Sequence, residues 1–315
     1  MHAPRLTASR EVRIVACADP NLDAARSLAE FASIDFPDDP AVAFPDHKSL
    51  LARSDLDALS ILTPYLAHYR PAMDALQAGC HVFIEKPLST NSQEANDIVG
   101  LARGRGRKVG VGHQYRLAPS LVEARRRLLD GAIGPIRLIQ AAMTAPWLVG
   151  HAGAEDSWRF DPKTSGGGIL FDIGDHLVDA LLWTSGRTAV EVVAFQERLA
   201  TGADIVTAAA LKLSNGALAT LAINGVAPGK LFALTYFGER GRLRATDVAL
   251  TQEWDDGRVE AVGLAAPRET IDGNFVAALV SDAPLCCPAE EALETVRLLE
   301  AVGRSAASGQ GVRLS

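Results

Sequence analysis

In the first third of the chain, short apolar runs alternate with longer stretches whose apolar residues recur every three or four positions. Val12 to Ala18 is a strand pattern that stops at Asp19-Pro20, and Ala58 to Leu62, His81 to Ile84 and Val109 to Val111 are further buried-strand patterns. Between them, Asn21 to Phe31 places Ala24, Leu28 and Phe31 on one helical face. A second helix begins near His68 and is stopped by Gly79, a residue that tolerates the left-handed cap. Thr90 and Gln93 form a capping box for a third, which carries Ala95, Ile98, Val99 and Ala102. Strands alternating with helices predict βαβ units on a parallel sheet.

The pattern changes after about residue 115. Ala118 to Leu129 reads as an Arg-rich amphipathic helix and Ile136 to Ala145 as a strand; Val190 to Val262 is nearly all strand-like, with turns such as Ser214-Asn215-Gly216. Consecutive strands with short turns predict an antiparallel sheet. A last helix at about 288–306 presents Leu293, Val296 and Leu299 as a stripe. The expected fold is therefore α/β: a parallel-sheet, nucleotide-binding domain over residues 1–115, then an α+β domain over 116–315 with a large, mostly antiparallel open sheet. That sheet is a natural surface for self-assembly or another protein, and a homodimer or homotetramer is expected through it.

Length agrees, since 315 residues suit two cores better than one. A net charge of −7 and a pI near 5.5 argue against a nucleic-acid partner. The basic run Arg103 to Lys108 reads as a solvated helix C-terminus. No apolar run approaches a membrane span, and Met1 to Leu6 lacks the apolar core of a signal peptide, so a cytoplasmic protein is expected. Cys17, Cys80, Cys286 and Cys287 form no C-x-x-C pair and read as reduced thiols.

Ligands of a parallel sheet bind beyond the carboxyl ends of its strands. Asp19 ends the first such strand: it either accepts hydrogen bonds from a ribose diol or simply closes a turn. No Arg or Lys lies within residues 20–24 to receive a 2′-phosphate, which favours NAD over NADP. Thr63-Pro64-Tyr65 with His68 ends another strand, and Glu85-Lys86-Pro87 the next. A cleft-facing Lys86 ammonium could bind a substrate hydroxyl or stabilise its alkoxide, although a surface ion pair gives the same pattern. Gly166-Gly167-Gly168 precedes Asp172 and His176, which share a face if they lie on one helix; a carboxylate-oriented imidazole is a competent base near neutral pH. A metal needs further ligands that the local sequence lacks.

These motifs, in this order, resemble the glucose–fructose oxidoreductase and inositol dehydrogenase (Gfo/Idh/MocA) family. The matching pieces are Ala18-Asp19-Pro20, Thr63-Pro64 with His68, Ala78-Gly79-x-His81-Val82-x-x-Glu85-Lys86-Pro87, Trp158-Arg159, Gly166 to Gly168 and Asp172-x-Gly174-x-His176. The resemblance implies a Rossmann-type domain and an oxidoreductase moving a hydride between nicotinamide and a secondary alcohol of a sugar, sugar acid or cyclitol. It implies Lys86, Asp172 and His176 as the catalytic set, with His176 exchanging the hydroxyl proton. Asp19, Thr63, Pro64, His68, Glu85 and Lys86 would line the cofactor, with Trp158 and Arg159 near the nicotinamide. Arg116, Trp158, Asp172 and His176 would meet the substrate, helped by a loop over residues 147–160. The family's opening strand and G-x-G-x-x-G loop have no counterpart, because no glycine precedes Gly79. Loss of that strand would leave its neighbours unpaired. A start placed downstream of the true one, or a shortened chain with altered cofactor binding, would each explain this. A non-catalytic sensor on the same fold, and redox-assisted sugar chemistry without net oxidation, are the alternative readings.

Overall fold

The computed structural model describes residues 2–53, 55–150, 157–267 and 269–314. Strands β1 (Ala16–Ala18) and β2 (Val42–Phe44) pair in parallel; β3 (Ala58–Ile61), β4 (His81–Ile84) and β5 (Val109–Val111) pair in parallel in that order. These strands form two sheets rather than one. β1 is also shorter than its apolar run, because only Val42–Phe44 offers it a partner; upstream, Arg13 is drawn aside to the carbonyl of Asp39.

Helices α1 (His2–Thr7), α2 (Leu22–Ala32), α3 (His47–Leu51), α4 (Tyr69–Gln77) and α5 (Ser92–Arg105) occupy this half. The cap of α5 differs from expectation by one residue. Asn91 accepts from the Glu94 amide at 2.9 Å, and Glu94 reaches back to Ser89, so Thr90 and Gln93 are not the capping pair. Asparagine caps a helix at least as well as threonine, which explains the shift. Gly106, at φ 60°, closes α5 within the basic run.

The second half holds β6 (Ile136–Thr144), β7 (Ala189–Arg198), β8 (Asp204–Leu213), β9 (Leu218–Asn224), β10 (Leu231–Gly238), β11 (Gly241–Thr246), β12 (Leu250–Trp254), β13 (Val259–Ala261) and β14 (Val312–Arg313). Together they make one nine-stranded sheet, ordered β13-β12-β11-β10-β6-β9-β8-β7-β14 and antiparallel except between β6 and β9. Residues alternate between a buried and an open face. Ile205, Ala209 and Leu211 of β8 are buried, whereas Val193, Phe195, Leu218 and Leu231 are exposed. The helices α6 (Pro119–Leu129), α7 (Trp147–Gly150), α8 (Pro162–Ser165), α9 (Asp175–Ser185), α10 (Ile271–Val280) and α11 (Ala289–Ser308) complete the chain. Leu121, Leu177, Leu181, Leu298 and Val302 of α6, α9 and α11 form one core with the buried sheet face.

The expected boundary near residue 115 does not separate the cores. Phe275 of α10 packs on Phe83 of β4, and Leu293 and Val296 of α11 are buried with Leu76 and Ile98. An amphipathic helix must bury its stripe somewhere, and α11 uses both layers. Among the described residues no helix is long and apolar enough to cross a membrane.

Candidate active site

The site forms where the turns after β3 and β4 meet the segment entering α9. His68, fully buried, pins both turns: Nε2 lies 2.9 Å from the Thr63 carbonyl and Nδ1 2.8 Å from the Pro87 carbonyl. Both ring nitrogens are therefore occupied by backbone. The expectation that His68 lines the cofactor is corrected here: it sits beneath the site and shapes the two loops.

Entry into α9 depends on close backbone approach. Gly168 lies against β8, where an added Cβ would stand 2.2 Å from the Asp204 carbonyl oxygen. The Asp204 carboxylate accepts from the amides of Gly168 and Leu170, each at 2.9 Å. Residues Leu170–Gly174 then form a π-helical turn that becomes α-helical at Asp175. Such wide turns recur at functional sites. Gly168→Ala is expected to destabilise the fold by about 3 kcal/mol, the upper end for overpacking. A urea midpoint unchanged from wild type would contradict that close approach.

The π turn also changes the expected relation between Asp172 and His176. The two are not paired across one α-helical turn. Asp172 instead accepts from Tyr65 Oη at 2.6 Å and Lys86 Nζ at 3.2 Å through Oδ1, and from Trp147 Nε1 at 2.7 Å through Oδ2, with Arg159 Nε 3.3 Å away. Lys86 Nζ also donates to the Asp172 carbonyl at 2.6 Å and to Tyr65 Oη at 3.1 Å. Burial alone would raise the Asp172 carboxyl, but Lys86, Tyr65, Trp147 and Arg159 hold it well below the usual carboxylate range. Burial would lower Lys86, yet the neighbouring Tyr65, Asp172 and Asp175 keep the ammonium charged. His176 is buried and pushed down to about 3, first by desolvation and then by the Lys86 charge, so the imidazole is neutral. Its Nδ1 and Asp175 Oδ1 have no hydrogen-bond partner among the described residues. The edge of Tyr115 approaches the His176 ring, with centroids 5.1 Å apart.

Other expected residues fall at different distances from this centre. Trp158 packs edge-on against Tyr65 and lies under Arg159, so both belong to the same wall. Glu85 faces His2 of α1, whose Nε2 is 3.2 Å away. Its hydrogen bonds to the carboxylates of Asp272 and then Glu85 raise that histidine to about 9. Thr63 and Asp19 are exposed and Pro64 is half-buried; Asp19 Oδ1 accepts from the Asn21 amide at 2.8 Å, so it does close a turn at the strand end. Residues 151–156 of the expected substrate loop lie outside the described residues.

Arg116 is a clear departure. It was expected to meet substrate, but it is 3% exposed and locked to Asp179 at 2.7 and 2.9 Å, to Glu291, and to the Cys286 carbonyl. A guanidinium with this many buried partners is fixed inside the protein. Beside it, His113 Nε2 lies 2.6 Å from Asp175, and its Nδ1 3.3 Å from Cys287 Sγ. Burial opposes the His113 charge, but Asp175 and Asp179 outweigh it and hold the imidazole charged. His113, Asp179 and Cys287 cluster closely enough to suggest a metal, yet the Arg116 cation already occupies Asp179. The sequence assigns no site role to Tyr65 or Asp204, and Trp147 opens the expected 147–160 loop without being singled out. Tyr65 carried a signal, because it immediately follows a strand-end Thr-Pro.

Lys86, just after the parallel strand β4, meets Asp172 of the turn entering α9, and the parallel strands are joined to a nine-stranded open sheet: the fold is a Rossmann-type α/β layer with an open-sheet α+β half. The chain belongs to the GFO/IDH/MocA family: residues 1–113 match "Oxidoreductase family, NAD-binding Rossmann fold" and residues 121–244 match "GFO/IDH/MocA C-terminal domain". It is 32% identical over 246 residues to dTDP-3,4-didehydro-2,6-dideoxy-alpha-D-glucose 3-reductase of Streptomyces antibioticus, covering 76% of this chain and 70% of that one. It is 31% identical over 184 residues to UDP-N-acetylglucosamine 3-dehydrogenase of Acidithiobacillus ferrooxidans, covering 58% of this chain. The match spans about half of that enzyme's length, 53%. A crystal structure of an oxidoreductase domain protein from Kribbella flavida superposes with a TM-score of 0.86 at 22% identity, covering 100% of this chain and 95% of that one, which shows a shared fold.

Proposed function

We propose that this chain is an NAD-dependent oxidoreductase that moves a hydride between nicotinamide and a secondary alcohol of a sugar, sugar acid or cyclitol. The observation that carries the reading is a charged Lys86, held by Asp172 and Tyr65 where the turn after β4 meets α9, with a buried neutral His176 nearby. When bound, the nicotinamide supplies or accepts the hydride. The rest is the work of side chains. Lys86 would donate to the reacting oxygen and stabilise its developing negative charge. A neutral His176 would accept the hydroxyl proton during oxidation and return it during reduction. Asp172 keeps the ammonium charged and aimed, while Trp158 and Arg159 would close the wall towards the nicotinamide and the substrate.

The exposed carboxylate of Asp19, at the carboxyl end of β1, suits a ribose diol and opposes a 2′-phosphate. Thr63, Pro64 and Glu85 would complete that lining. Two relatives act at position 3 of nucleotide-linked sugars by name, which supports a sugar substrate. The apolar open face of the nine-stranded sheet supports self-association as a homodimer or homotetramer, and we assign the protein to the cytoplasm.

A fluorescence titration tests the cofactor assignment. NADH is expected to bind at least about tenfold more tightly than NADPH, a difference of about 1.4 kcal/mol. Equal affinities would remove the role given to Asp19. A second expectation concerns pH. With His176 neutral down to about 3, sugar oxidation should show no acid limb near the ordinary imidazole value of about 6.5. A limb there that vanished in His176→Asn would refute the neutral-base role.

A further inference from the structure

Three polar groups close a ring at the centre of the site. Lys86 Nζ is 3.1 Å from Tyr65 Oη, Tyr65 Oη is 2.6 Å from Asp172 Oδ1, and Asp172 Oδ1 is 3.2 Å from Lys86 Nζ. We infer that Tyr65 is a positioning residue for the oxidoreductase reaction: its hydroxyl is a spacer that keeps the Lys86 ammonium from seating on the Asp172 carboxylate and holds Nζ between the phenol oxygen and the Asp172 backbone carbonyl, where the reacting oxygen would meet it. This rests on the function proposed above.

The geometry argues for a spacer rather than a bystander. The Tyr65–Asp172 contact is the short member of the ring, at a length typical of a hydroxyl donating to a carboxylate. The Lys86 contact to the Asp172 carboxylate is long at 3.2 Å, while Nζ donates to the Asp172 backbone carbonyl at 2.6 Å, although an ammonium and a carboxylate attract each other more strongly than either attracts a phenol. Nζ thus rests closest to the Asp172 backbone carbonyl and not on the carboxylate, and the phenol has only one proton, which it spends on Oδ1. Its oxygen lone pairs then face Lys86, which donates to them. The Tyr65 ring leaves little room for the hydroxyl to swing away. It is 6% exposed, packs edge-on against Trp158 with centroids 4.7 Å apart, and lies 5.0 Å from Nζ. A long lysine side chain loses considerable rotamer freedom when fixed, and the three-way ring supplies the restraint.

The test is a double-mutant cycle of Tyr65→Phe and Asp172→Asn, read in both turnover and urea unfolding. Tyr65→Phe is expected to lower kcat about tenfold, within the range for a misplaced catalytic group. The KM for cofactor should stay within about twofold of wild type, and the solvent isotope effect should rise because proton transfer has been slowed. In the Asp172→Asn background the same change should lower kcat less than about threefold, since the pair it spaces has gone. The unfolding free energies of the two changes should likewise be non-additive, a readout independent of any turnover. Additive free energies, or a Tyr65→Phe enzyme with wild-type kcat, would overturn the spacer. Failure of the parent reading looks different: Lys86→Ala would then turn over like wild type while the stability cycle still showed coupling.

Discussion

Replacing Lys86 with alanine is expected to lower kcat/KM about 10²- to 10⁴-fold while leaving the protein folded. One preorganised donor to a developing negative charge contributes about 10²- to 10³-fold, the lower part of that range. The loss should fall on kcat more than on KM, because the ammonium matters most when charge develops on the reacting oxygen. The fold should survive because Asp172 keeps Tyr65 at 2.6 Å, Trp147 at 2.7 Å and Arg159 at 3.3 Å as partners. Steady-state kinetics and a thermal melt together make the check. Turnover within threefold of wild type would remove Lys86 from the chemistry, and a collapsed melt would mean that its role is in the fold.

The largest stability effect should come from Asp179→Ala. Asp179 is buried among Arg116, His113 and Thr295, with Thr295 Oγ1 3.3 Å from Oδ1. Its removal leaves two positive charges buried with their shared counterion gone. Breaking such a pair costs about 3–5 kcal/mol, a large part of a typical domain's margin. Urea unfolding should show the shift, and a change below 1 kcal/mol would mean that solvent reaches this region. The acid side follows from the same contacts. Burial opposes the Asp179 charge, but His113 and Arg116 hold its carboxyl below the usual range. Its contribution is therefore present above the unfolded value of about 3.9 and fades as pH falls through the lower folded value. Asp179→Asn should flatten that acid limb of stability.

The parallel layer and the antiparallel sheet were legible because period-two and period-four patterns are local and strong. His81–Ile84, Tyr69–Gln77 and Pro119–Leu129 came out within a residue or two. The motifs also single out Lys86, Asp172 and His176. Partnership was less legible. Asp172 and His176 are four apart, and nothing in their spacing announces a π turn; that depends on Gly168 meeting β8, a contact 36 residues away in the chain. The resemblance alone implies Arg116 as a substrate ligand, whereas its side chain is held by Asp179 and Glu291 on the distant helices α9 and α11. The setting of His68 is hidden from the sequence for a related reason. A histidine near a cleft reads as a ligand until both nitrogens are found on backbone carbonyls.

The grip of Asp204 on the amides of Gly168 and Leu170 has a mechanical consequence. The turn that carries Asp172 is tied to the first residue of β8, the third strand from the β14 edge of the broad sheet, and not hung from a loop. Its shape is thereby tied to β8, whose next residues alternate between that core and the open face where Ala208 and Ala210 point outwards. Anything that flexes the sheet there flexes the turn, and a load on its outer surface at Ala208 acts four residues from the Asp204 anchor of that turn.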